Sequence, residues 1–154
     1  MAARASAFHP IDLDQVLAYQ HPTLILRLHD KLGMSEHEAK ELFDDLKRFL
    51  FLCATHREKL GPTDRIDEAW HNFILFTKDY RNFCNRLLGK FIEHVPITQA
   101  ARSSKDGGTM RTTSRLARQA FGEELSSNWQ YRKSDAASCL SDCTRCSGST
   151  NCGN

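Results

Sequence analysis

The 154-residue sequence has no long apolar run: its longest unbroken stretch is Phe49 to Ala54, whereas a membrane-spanning helix needs about 18 or more apolar residues. Residues Met1 to Ala7 lack the apolar segment of about 7–15 residues that a secretory signal carries. These absences predict a chain with no membrane partner and a cytoplasmic location. Charge of one sign is also scarce. The 21 Lys+Arg and 19 Asp+Glu leave a net charge of +2, too small to steer nucleic acid, which is therefore not the expected partner. No Gly-rich phosphate loop, Gly-x-Ser-x-Gly elbow or His-Glu-x-x-His pair is present, which removes the common signatures of nucleotide, acyl-transfer and zinc-protease chemistry. No internal repeat is visible.

What is present is helical periodicity. Asp12 to Tyr19 makes two turns before His21-Pro22 interrupts them. Pro22 suits the first turn of a second helix, which Gly33 terminates. Ser35 and Glu38 form a capping box, and Ala39, Leu42, Phe43, Leu46, Phe49, Leu50 and Cys53 follow at helical spacing to about Arg57. Gly61-Pro62 stops that helix, and Thr63 or Asp64 caps the next, whose apolar set reaches Leu88 before Gly89. Thr77 offers a second start within it. Phe91 to Pro96 reads as extended, Thr109 to Ala120 as a short helix ended by Gly122, and Trp129 and Tyr131 as folding back. The expectation is an all-α fold, a small irregular helical bundle over residues 8–131. Residues 132–154 are expected to be a flexible Ser-, Gly- and Cys-rich tail, because Leu140 is the only large apolar residue after Ser134.

Chemistry-bearing residues concentrate in two places. Asp67 and His71 are four apart on a helix and share a face at the shoulder of the stripe formed by Ile66, Trp70 and Phe73. A carboxylate there can orient the imidazole and leave its other nitrogen free as a base or a ligand. With Cys84 and His94 this gives a donor set suited to zinc or iron. The competing reading makes His71 a structural polar contact and Cys84 a small buried hydrophobe, inert because its apolar helix face raises the thiol pKa. Donor atoms of His71 and His94 more than about 6 Å apart would favour that second reading, since metal–nitrogen bonds are about 2.0–2.1 Å. The other place is the tail, where Cys139, Cys143, Cys146 and Cys152 offer four thiols that can capture zinc or copper(I), form disulfides, or remain a plain flexible appendage. The tail also fits a precursor whose Ser, Thr and Cys are enzymatically cross-linked. Arg111, Arg115 and Arg118 share one helical face and read as a solvated surface.

The stretch IDEAWHNFILFTKDYRNFCNRLLGKFIEHVP, residues 66–96, resembles the signature region of the glycine-rich domain-containing protein family. Asp67, Trp70, His71, Thr77, Tyr80, Phe83, Cys84, Gly89, His94 and Pro96 carry the resemblance, which extends over about residues 10–125. Two positions depart from it. Phe73 stands where many members have a second histidine after Trp-His, and Glu93 stands where many have the first of two histidines before the proline. If the family's histidines form a metal site, two ligands are missing here, with Glu93 available as an oxygen donor. The functional expectation is a small non-enzymatic protein with a metal site at Asp67, His71, Cys84 and His94. The alternatives are a protein-interaction module with an unknown protein partner, in which those residues are structural, and an enzyme using His71 as a base.

Overall fold

Apolar residues at three- and four-residue spacing over 39–53 give the chain one long helix, and the rest of the fold is organised around it. The computed structural model describes residues 10–95 and 107–131. Six α-helices, α1 (Leu13–Ala18), α2 (Pro22–Leu32), α3 (Glu36–Thr55), α4 (Asp64–Ile74), α5 (Thr77–Phe83) and α6 (Gly107–Phe121), account for the regular structure, with no strand among the described residues. A π-helical turn, Cys84–Leu88, extends α5, and a 3₁₀ turn, Ser127–Trp129, follows α6. Helix α3 packs against α1, α2, α4, α6 and both turns. The expected all-α architecture is what the chain adopts. The tail thiols Cys139, Cys143, Cys146 and Cys152 lie outside the described residues.

The helix boundaries follow local chemistry. Asp12 caps α1 by accepting from the Asp14 and Gln15 amides. The Ser35–Glu38 capping box forms in both directions, and Thr63 rather than Asp64 caps α4. Gly33 and Gly89 end α2 and the π turn at φ values of 63° and 69°, the left-handed region that glycine enters without a Cβ clash. The break after α4 occurs, but the Thr77 hydroxyl does not cap the new helix. Phe76 holds the cap position with no side-chain bond, while its amide donates to the Phe73 carbonyl at 3.0 Å. Its ring packs edge-on against His21, 4.7 Å between centroids, so a tertiary contact holds the turn.

Two buried charges tie the bundle together. Lys47 is fully buried, and its ammonium donates to the Leu17 and Tyr19 carbonyls at 2.6 and 2.8 Å and to Asp44 at 2.9 Å. All three of its N–H donors are used, two of them on carbonyls at the open C-terminal end of α1. Asp45 accepts from Arg48 at 2.9 Å, Ser126 at 2.5 Å and Asn128 at 3.0 Å, which fastens the C-terminal 3₁₀ turn to α3. The apolar core between them centres on Phe73, whose ring meets Phe43, Tyr80 and Phe83 at 5.4, 5.2 and 5.5 Å.

Candidate metal centre

Helix α4 divides its residues by face. Ile66, Ala69, Trp70 and Phe73 turn inward and are buried, while Asp67 and His71 occupy the rim at 34% and 51% side-chain exposure. This is the shoulder position that their spacing predicts. His94 reaches the same rim from segment 91–95, which lies outside the helices, and a buried relay fixes its approach. Trp70 Nε1 donates to the Tyr80 hydroxyl at 2.9 Å, and that hydroxyl donates to the Ile92 carbonyl at 2.6 Å. With Ile92 pinned, His94 lies two residues further along, its ring edge-on to Trp70 at 4.6 Å and only 13% exposed.

Asp67 stands between the two histidines. Its Oδ1 lies 2.8 Å from His94 Nε2 and its Oδ2 lies 3.5 Å from His71 Nδ1, so the carboxylate's hydrogen bond goes to His94 and not to its helical neighbour. The two imidazole rings are 4.4 Å apart at 59°. One donor atom each from Asp67, His71 and His94 falls within 4.8 Å of the other two, so the His71 and His94 donors are closer than the separation of about 6 Å that would favour a purely structural role. Two imidazoles and one carboxylate are a zinc or non-haem iron donor set that leaves coordination positions open.

Cys84 is not brought into this group. It is buried beside the Tyr80 hydroxyl and the Ile92 backbone, and burial pushes its thiol pKa up, as its apolar surroundings predict. The physical reason is register: Tyr80, Cys84 and Leu88 all turn into the core, whereas the rim of α4 faces outward. Cys53, near the end of α3, is likewise pushed up to about 12 by burial. Glu93 is exposed and lines the cleft beside the three donors without belonging to them. Phe73 is fully buried on the opposite side of α4, so a histidine at that position would point into the core and not toward Asp67.

Sequence reasoning missed the Trp70–Tyr80–Ile92 relay and the role of His21. The His21 Nδ1 accepts from the Leu24 amide at 3.0 Å, which places the ring proton on Nε2, 3.1 Å from Asp79. His21 thus caps α2 and ties it to α5. The one available signal was its position immediately before Pro22, at a helix start. On α6, Arg111, Arg115 and Arg118 are exposed as expected, with Arg115 donating to Gln119 and Arg118 lying 3.8 Å from Glu123.

A family model described as UCP032817-like covers residues 13–131, from the first residue of α1 to the end of the described fold. No curated protein and no solved structure matches.

Proposed function

Because the chain belongs to the UCP032817-like family, whose description names no reaction, we propose from its own residues that it is a metal-binding helical protein. Asp67, His71 and His94 hold a divalent transition metal, zinc or iron(II), at the rim of α4. The observation that carries this reading is the convergence of three donors from two separate segments within 4.8 Å. In a tetrahedral site with bonds of about 2.0–2.1 Å, ligand atoms stand roughly 3.3 Å apart, so small side-chain shifts bring the three into range. The Trp70 ring and the Ile92 carbonyl bonded to Tyr80 hold the approach of His94. The likeness to the glycine-rich domain-containing proteins is compatible with this reading, and the site does not depend on a histidine at position 73.

The test uses full-length protein carrying Cys139→Ser, Cys143→Ser, Cys146→Ser and Cys152→Ser, so that thiolates do not compete for the ion. This protein is expected to bind one zinc ion, and zinc at a hundredfold excess over Kd should stabilise it by about 2.7 kcal/mol. His94→Ala and Asp67→Asn should each abolish that gain. Absence of zinc-dependent stabilisation in the parent overturns the reading.

A second reading is favoured by the 2.8 Å contact of His94 with Asp67 and by its packing on Trp70. In it the pair is a clasp holding segment 91–95 on α4, within a protein-interaction module. His94→Ala would then lower the melting temperature equally with and without zinc.

A further inference from the structure

Two of the three donors, His71 and His94, form part of the wall of an open cleft of about 750 Å³ between α2, α4 and segment 91–95. An ion held by these donors would border the cleft through the two imidazoles that line it. Three of the four exposed large hydrophobic residues among those described, Leu75, Phe91 and Val95, line this same cleft at 62%, 49% and 74% exposure. Scattered surface hydrophobes need no explanation, but a cluster beside polar donors marks a ligand site.

The charges specify the ligand further. Arg27 and Lys31 of α2 and the carboxylates Glu68 and Glu93 line the cleft and offset one another. Arg27 is oriented by its Nε bond to Asn72 Oδ1 at 2.8 Å, and Asn72 is held in turn by the Glu68 carbonyl at 2.8 Å. A divalent ion exceeds the charge of Asp67 by one. The loaded cleft thus carries a single excess positive charge beside an apolar wall.

We infer that the cleft binds an amphipathic monocarboxylate, whose carboxylate occupies the open metal positions and whose hydrocarbon chain lies on Leu75, Phe91 and Val95. This inference rests on the metal reading, and its test separates the two. Cobalt(II) is loaded into the full-length protein with the four tail cysteines replaced as above, and its visible absorption bands are followed while octanoate or acetate is added.

Both anions should shift the bands, and octanoate should bind at least about tenfold more tightly, as burial of two or more methylene groups requires. Leu75→Asn combined with Val95→Asn, at positions exposed enough to leave the core intact, should erase that preference and leave cobalt affinity unchanged. Equal affinities for octanoate and acetate, or octanoate binding that is the same without cobalt, would overturn the inference while the metal site stands. Failure of cobalt to bind at all would overturn the metal reading and this one with it.

Discussion

Lys47 has all the marks of a residue to be avoided, a buried cation in a helix core, yet it is explained by the acceptors around it. Burial lowers its pKa, and the Asp44 carboxylate opposes that shift. Replacing it with methionine keeps the volume and strands the Leu17 and Tyr19 carbonyls. Lys47→Met should therefore cost about 2–4 kcal/mol in urea unfolding, with faster amide exchange in α1. Periodicity did not reveal this role, because position 47 falls outside the expected apolar set and its acceptors lie 28 and 30 residues earlier. The Asp67–His71 spacing was legible for the opposite reason, since a four-residue separation on a helix fixes geometry locally. The Asp67–His94 contact spans 27 residues and depends on where Tyr80 pins Ile92, so sequence could nominate His94 but not seat it.

Element boundaries were the most readable level, because caps are local chemistry. Ser35 with Glu38, Gly33, Thr63 and Gly89 each act where their residue types place them. The turn between α4 and α5 was readable only as a break, since the force that makes it comes from His21 against Phe76. Gly33 and Gly89 permit a clean check on the cap argument. A Cβ at either position meets nothing within 4 Å, so Gly33→Ala and Gly89→Ala should each cost about 1 kcal/mol through backbone conformation alone. The two costs should add in thermal unfolding, because the sites share no partners. A much larger loss at Gly89 would mean that the π turn carries tertiary energy beyond its own geometry.

At the scale of the whole molecule, burial in the core favours the uncharged forms of two thiols and a phenol. Cys53, Cys84 and Tyr80 all have their pKa values raised by burial. Below about pH 8.5 the thiols are protonated in both folded and unfolded chains, and they add no pH dependence. Above it the unfolded chain releases protons that the native state keeps, so stability falls as pH rises toward the folded pKa values. Lys47 works the other way, since its folded pKa is lowered, and it offsets part of the loss. Urea midpoints should thus decline between about pH 8.5 and 11, and Cys84→Ala should flatten that decline. The all-α architecture was legible from periodicity, and so was the return of Trp129 and Tyr131 to the bundle, but the bonds that fasten the closure were not. Ser126 and Asn128 reach back 81 and 83 residues to Asp45, Thr63 donates to the Asn128 carbonyl at 2.6 Å, and Tyr131 to the Gly61 carbonyl at 2.5 Å. For a chain made from its N-terminus this sets an order of events. Until Ser126 and Asn128 have left the ribosome, Asp45 lacks two of its three partners and that flank of α3 stays open, so the last turn among the described residues to be synthesised is the one that seals the first long helix.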